Sequence, residues 1–197
     1  MQATLDRLGL SENTLLIFTS DNGPWNAANI RKSGSAGMFR GSKGTTYEGG
    51  MRVPAIFSWP GKIKPGVISG MGSTMDIYTT VLALAGIEAG DNTDGYDISD
   101  TLFNGDSSPR LEMPYYKQGT LRAYRKGRYK IYFYGGETSN TALDEPELYD
   151  LYTDLSEKVN LAEEHPDILE DLQAAAEAHL ASYTKAEPVF DMRLNGI

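Results

Sequence analysis

Cysteine is absent from the 197 residues. That absence rules out disulfides, thiolate metal sites and cysteine nucleophiles within the chain, but it leaves the compartment open. Histidine is nearly absent too. His165 and His179 both fall in an acidic C-terminal stretch with no carboxylate–histidine spacing, and they read as surface residues. No Gly-X-Ser-X-Gly elbow occurs, and the Gly-rich segment lacks the phosphate-loop pattern, so nucleotide binding has no support. No apolar run approaches a membrane span, and Met1 to Leu8 is amphipathic without a signal-peptide core. Cations are outnumbered, 18 basic against 27 acidic residues for a net charge of −9, which argues against nucleic acid as a general partner. The same charge serves solubility. At 40% hydrophobic residues the chain has ample material for a packed core.

What is present is organised along the chain without repeats or low-complexity tracts. Met1 to Leu8 reads as the end of a helix running into a loop at Gly9 and Ser11. A core strand follows at once, an arrangement that leads us to expect further sequence upstream. Leu15 to Phe18 lacks polar alternation and predicts a strand covered on both faces, as in a parallel sheet. Residues 22 to 50 are rich in Gly, Ser and Asn and predict a long loop. Val53 to Trp59 predicts a second buried strand, with Pro54 near its start and Pro60-Gly61 as its closing turn. Met75 to Ala85 predicts a helix capped by Ser73 or Thr74 and terminated by Gly86.

Residues 87 to 112 read as an acidic connection, dividing the chain into units 1–110 and 111–197. Beyond it, Tyr115–Lys117, Leu121–Tyr124 and Tyr129–Tyr134 predict short antiparallel strands, with residues 125–128 as a hairpin turn. Glu147–Leu151 predicts another strand. His165 to Tyr183 predicts an amphipathic helix with Pro166 in its first turn. The expected class is α/β: the remnant of a central, mostly parallel sheet with helices, then a small antiparallel sheet packed on a C-terminal helix.

Two blocks carry chemistry. Asp21-Asn22 ends the first strand with a carboxylate and an amide, the oxygen donors a hard cation such as Ca²⁺ or Mg²⁺ prefers. Asp-Asn-Gly-Pro also reads as an ordinary turn. A full shell needs about six to eight oxygens, and no other carboxylate here has the spacing to complete it. Lys43 stands between glycines in Gly41-Ser42-Lys43-Gly44, where backbone and ammonium can approach an oxyanion; the alternative is a solvated loop lysine. Glu48 and Arg52 read as a structural ion pair, while Arg31, Lys32 and Arg40 are further cations able to steer anions. Residues 110 to 130 hold seven basic residues among aromatics, read as balancing the acidic C-terminal segment rather than as a nucleic-acid patch.

Asp21-Asn22-Gly23-Pro24, Gly41-Ser42-Lys43-Gly44-Thr45-Thr46-Tyr47-Glu48-Gly49-Gly50-Met51-Arg52-Val53-Pro54 and Trp59-Pro60-Gly61 together resemble the sulfatase family of arylsulfatase type, within the alkaline phosphatase superfamily. Residues 75–86, Asp94-Gly95, Leu102 to Gly105, residues 147–152 and residues 157–162 extend the resemblance over nearly the whole chain. It implies that Asp21 and Asn22 are two ligands of a divalent cation, usually Ca²⁺. It also implies that Lys43 contacts the sulfate oxygens and stabilises charge as the S–O bond breaks. The family's nucleophile, a formylglycine made within Cys/Ser-X-Pro-X-Arg, has no counterpart here. The aspartate pair completing the metal shell and the family's active-site histidines are also missing, and all of these belong to the part of the family N-terminal to the match.

The resemblance therefore implies a C-terminal portion of a sulfuric ester hydrolase carrying half a site, inactive alone, with a sulfate ester as substrate of the whole and no nucleic acid or membrane partner. One rival is a phosphate or phosphonate ester hydrolase of the same superfamily. Another is a non-catalytic fragment that self-associates, or pairs with a missing half, through an exposed sheet edge.

Overall fold

A computed structural model describes residues 1–25, 34–91, 93–135 and 141–183. Arg31 and Lys32 lie outside these. The element order is α1 (Gln2–Leu8), a 3₁₀ turn (Ser11–Asn13), β1 (Leu16–Thr19), α2 (Glu48–Met51), β2 (Ala55–Ser58), α3 (Thr74–Leu84), α4 (Ser99–Asn104), β3 (Glu112–Lys117), β4 (Thr120–Lys126), β5 (Tyr129–Tyr134), β6 (Ala142–Asp150) and α5 (Pro166–Ser182). Among the described residues no helix is long and apolar enough to cross a membrane.

The expected α/β class holds, with helices, a short N-terminal sheet and a four-stranded antiparallel sheet. The pairing of the first two strands differs from expectation. β1 and β2 run antiparallel, Phe18 opposite Ile56 and Ile17 opposite Phe57. Nor are both faces covered: Phe18 is 63% and Ile56 58% exposed, so one cross-strand apolar pair faces outward. An unbroken apolar run marks a strand but does not encode its partner's direction. Pro54 stands immediately before β2, where its missing N–H costs the ladder nothing.

The capping expectation for α3 is met in detail. The Ser73 hydroxyl accepts from the Met75 N–H at 3.3 Å, and Asp76 accepts from the Ser73 N–H at 2.7 Å. Gly86 follows with φ 71°, the left-handed conformation that ends helices. Fully buried Asp76 also receives Arg110 Nε at 2.9 Å and the Tyr96 N–H at 2.8 Å, which ties the start of α3 to the chain entering β3. The segment expected to be pure connection contains the short helix α4, ended by Gly105 at φ 79°. Likewise the long loop stops at Tyr47, the residue before α2.

The C-terminal sheet is a simple meander, β3-β4-β5-β6. Its edge strands β3 and β6 carry Pro114 and Pro146, which blunt pairing with other chains. Alternation along the strands, shifted by a register irregularity where Tyr115 and Tyr116 of β3 meet β4, gives the sheet two covered faces. Leu121, Tyr124, Ile131 and Leu148 pack against Leu172 and Ala176 of α5. Tyr115, Ala123, Tyr132 and Tyr149 pack against Tyr47, which comes from the Gly-rich segment before α2. The second face is the one that reaches the candidate site. The two histidines are half-buried rather than on the open surface: His179 Nε2 lies 2.8 Å from the Tyr116 hydroxyl, and the His165 ring lies near Tyr129.

The cations expected to balance the acidic segment are held within the chain. Lys126 pairs with Asp171 at 2.8 Å, Arg110 with Asp76, and Arg128 with Asp150. Asp150 also accepts from the Tyr152 N–H at 3.0 Å and from Thr153 Oγ1 at 2.8 Å. Its hydrogen bonds with Arg128 above all, and then these others, lower its carboxyl from 3.8 to about 2. A carboxyl that titrates lower in the folded than in the unfolded chain stabilises the fold at neutral pH, and the contribution fades as the pH falls from 3.8 towards about 2. Urea melts should therefore find Asp150→Asn less stable than the parent chain at neutral pH, with the gap closing through that window. Leu148, fully buried between sheet and helix, sets the core's sensitivity. Leu148→Ala should lower unfolding free energy by about 2–5 kcal/mol in the same melts.

Candidate functional site

β1 ends at Thr19 and releases the chain into Ser20-Asp21-Asn22-Gly23. The Ser20 hydroxyl donates to the Asn22 carbonyl at 3.1 Å, and Asn22 Nδ2 donates to Asp21 Oδ1 at 3.0 Å. Carboxylate and amide thus lie side by side, and a half-turn of the amide would present two oxygens to one cation. Asp21 is exposed and Asn22 half-buried. Among the described residues no group of three or more His, Asp or Glu side chains stands ready to hold a metal. The two donors fit part of a hard-cation shell and do not complete one.

Three pieces of backbone meet beside them. The Gly23 N–H donates to the Gly50 carbonyl at 2.9 Å, the Gly49 N–H to the Arg40 carbonyl at 2.6 Å, and the Lys43 N–H to the Pro24 carbonyl at 2.9 Å. The glycines exist for this approach. A Cβ on Gly23 would sit 1.8 Å from the Gly49 carbonyl oxygen, and one on Gly49 would sit 2.4 Å from the Arg40 carbonyl oxygen. Lys43 occupies the second position of a tight turn closed by the Thr45 N–H on the Ser42 carbonyl at 3.0 Å, with Gly44 at φ 89° in the third. The Thr45 hydroxyl accepts from the Ser42 N–H and donates to the Ser42 carbonyl, which stiffens the turn. Its lysine side chain is exposed and forms no ion pair among the described residues.

An open cleft of about 630 Å³ is lined by Asn22, Trp25, Phe39, Lys43, Arg52 and Pro54, among others. The charged residues lining it, among those described, are the cations Lys43 and Arg52. The Arg52 guanidinium lies over the Phe39 ring at 4.9 Å and 3.9 Å from Glu48, the structural pair expected from sequence. Chemically the cleft suits an anion beside a partial cation site. Asn22 and Lys43 line the same cleft, and Asp21 stands beside Asn22.

The residues the sequence did not single out lie beneath the loop. Fully buried Lys130 reaches Glu48 at 2.9 Å, Glu157 at 3.0 Å and the Thr46 carbonyl at 2.8 Å. Burial favours a neutral Glu48, but Lys130, its hydrogen bond and Arg125 together hold that carboxyl below the usual range. Burial pushes Glu157 up, with Glu48 adding to it and Lys130 opposing, so Glu157 takes up a proton first. Burial and then Glu157 push the Tyr132 phenol well above its ordinary value, keeping its one hydrogen shared between Glu157 Oε1 and the Thr46 carbonyl. A lysine at an alternating position in a strand of aromatics was the available signal, because its neighbours in the alternation face a covered surface.

The family description "Sulfatase" matches residues 2–87, and "C-terminal region of aryl-sulfatase" matches residues 108–195. Human arylsulfatase A is 37% identical over 88% of this chain and 39% of its own length. The arylsulfatase of Hemicentrotus pulcherrimus is 33% identical over 97% of this chain and 41% of its own. Among solved structures, the PsFucS1 sulfatase from Pseudoalteromonas sp. superposes with a TM-score of 0.80 at 35% identity, covering 91% of this chain and 39% of that one. The chain belongs to the sulfatase family, matching its C-terminal portion. It spans about two-fifths of the length of these relatives.

The backbone contact at Gly23 gives a direct check on how the site is built. Gly23→Ala should destabilise the chain by about 1–3 kcal/mol, because neither partner is a movable side chain. Gly72→Ala, where an added Cβ meets nothing, should stay within about 0.5 kcal/mol of the parent in the same thermal melts.

Proposed function

We propose that this chain supplies the sulfate-contacting lysine and part of the cation site of a sulfuric ester hydrolase. One observation carries the reading: the Lys43 backbone is docked on Pro24, directly after Asp21-Asn22, in a cleft whose charged lining is cationic. Lys43 then meets the sulfate oxygens as a point charge and stabilises the negative charge that grows on the departing group. Asp21 and Asn22 would each give an oxygen to Ca²⁺ or Mg²⁺, which would supply Lewis-acid charge beside the sulfate. The sequence holds no Cys/Ser-X-Pro-X-Arg, so the formylglycine nucleophile and the remaining ligands come from outside these residues, and the chain alone does not turn over substrate. In this reading residues 1–110 belong to the catalytic α/β domain and residues 111–197 form a C-terminal subdomain.

A second reading, pairing with another segment, is favoured by the outward-facing Phe18 and Ile56 on the two-stranded sheet. The proline-bearing edges of the larger sheet are less suited to that role. Pairing there is compatible with hydrolysis, since it would cover the apolar pair while completing the site.

In an active enzyme that includes this chain, Lys43→Ala should lower aryl sulfate turnover by about 10²-fold or more. The thermal midpoint should not move, because the Lys43 side chain bonds no described residue. Unchanged turnover would remove Lys43 from the site, and faster turnover of aryl phosphate than of aryl sulfate would favour phosphate ester hydrolysis.

A further inference from the structure

The turn that presents Lys43 is held from both sides by residues more than eighty positions downstream. On its N-terminal side, the Met38 carbonyl accepts from the Ser156 hydroxyl at 2.9 Å, and Arg40 Nη1 donates to the Glu157 carbonyl at 2.8 Å. On its C-terminal side, the Thr46 carbonyl accepts from Lys130 Nζ and the Tyr132 hydroxyl, each at 2.8 Å. The Glu48 N–H donates to Glu157 Oε2 at 2.8 Å. Glu157 alone appears on both sides, through its carbonyl on one and its carboxylate on the other.

Two features separate Glu157 from an ordinary turn residue. Its φ is 51°, in the left-handed region that residues with a Cβ seldom enter and that glycine would occupy without strain. Its carboxylate is fully buried, a placement that is unfavourable unless every oxygen is used. Here Oε1 receives Tyr132 and Lys130, and Oε2 receives the Glu48 N–H. A turn required only to reverse the chain needs neither the strain nor the charge.

We propose that Glu157 is a positioning residue for Lys43, clamping both ends of the loop at residues 40–48 onto the C-terminal sheet so that the lysine is presented at a fixed height beside Asp21 and Asn22. The proposal rests on the reading of Lys43 as an anion contact. The clamp itself has consequences that do not depend on that reading. Segments 38–40 and 46–48 move together with the 154–157 turn and with β5. The Ser42–Thr45 turn between them keeps its shape through its own hydrogen bonds, so a shift of the clamp carries Lys43 as a unit.

The test compares the parent chain with Glu157→Gln, which keeps the side chain's size and leaves Lys130 paired with Glu48. Amide hydrogen exchange should speed up about tenfold or more at Lys43, Gly49 and Gly50, while Tyr124 and Ile131 in β4 and β5 exchange as before. Titration with inorganic sulfate, followed by the Lys43 amide resonance, should show weaker binding in the variant than in the parent chain. Acceleration spread evenly over loop and sheet would make Glu157 a general stabiliser and overturn the proposal, as would an unchanged loop. Should Glu157→Gln fail to fold, Tyr132→Phe removes one donor to Glu157 and Thr46 without unpairing a charge, and its loop amides should accelerate in the same pattern. Lys43→Ala serves as the blank for sulfate. A parent chain with no sulfate response beyond that blank would sink the anion-contact reading, while the exchange pattern still decides the clamp.

Discussion

A lysine ammonium buried to zero exposure has to be compensated, because taking it out of water costs several kcal/mol before any contact is made. Lys130 is compensated from three directions: Glu48 opens α2, Glu157 lies in the turn after β6, and the Thr46 carbonyl ends the Gly-rich loop. The rings of Tyr115 and Tyr132, 4.0 and 5.0 Å away, close the remaining sides. These partners come from parts of the sequence far apart along the chain. Because removing any one leaves a buried charge short of partners, loop, sheet and turn are bound into one unit. Two carboxylates face the single ammonium, and Arg125, 3.6 Å from Glu48, sets a second cation beside one of them.

The loop needs this external hold because it has little of its own. Its glycines permit backbone to touch backbone at Gly23, Gly49 and Gly50, but glycine also loses the most conformational freedom on ordering. Among the described residues of the loop, Tyr47 is the one buried hydrophobic side chain; it stacks on Tyr132 with ring centroids 4.7 Å apart and lies under the Arg40 guanidinium at 4.0 Å. Rigidity is therefore imported from the sheet through Tyr47, Thr46 and Glu48. That explains why the C-terminal sheet is buried on the face opposite α5, and why its polar residues there are tyrosines and a lysine rather than aliphatics.

Local features were legible in the sequence and long-range ones were not. The capped helix from Ser73, the Tyr-rich strands and the Pro166 helix start all follow from rules acting within a few residues, and each is found where expected. The direction of pairing between β1 and β2 depends on residues nearly forty positions apart, and an apolar run carries no information about it. Helix α4 was hidden because six residues are too few for a hydrophobic period to emerge, although Gly105 marked its end. Asp21, Asn22 and Lys43 could be named from two short blocks, and the shared cleft of Asn22 and Lys43 follows from glycine contacts that the composition hinted at. Strand alternation marks Lys130 as facing a covered surface, but nothing in the sequence names its partner Glu157, twenty-seven residues away.

The disposition of the basic residues separates structural from functional charge. Arg110, Lys126, Arg128 and Lys130 each meet a carboxylate within the chain, most with more than one contact. Lys43 differs: it is exposed, lies in a cleft whose other charged lining residue is Arg52, and pairs with no described carboxylate. In a chain of net charge −9, carboxylates are abundant enough to neutralise every lysine that folding requires to be neutral. A lysine held on a stiff turn, with its backbone docked and its ammonium left without a counter-charge, gains nothing for the fold from that arrangement. The charge becomes useful when an anion from outside enters the cleft, and stiffness then matters because a point charge stabilises a growing negative charge only at short, fixed range. On the proposed reading of Lys43 as an anion contact, the buried ion cluster holds the loop still while the exposed lysine keeps its charge for a ligand.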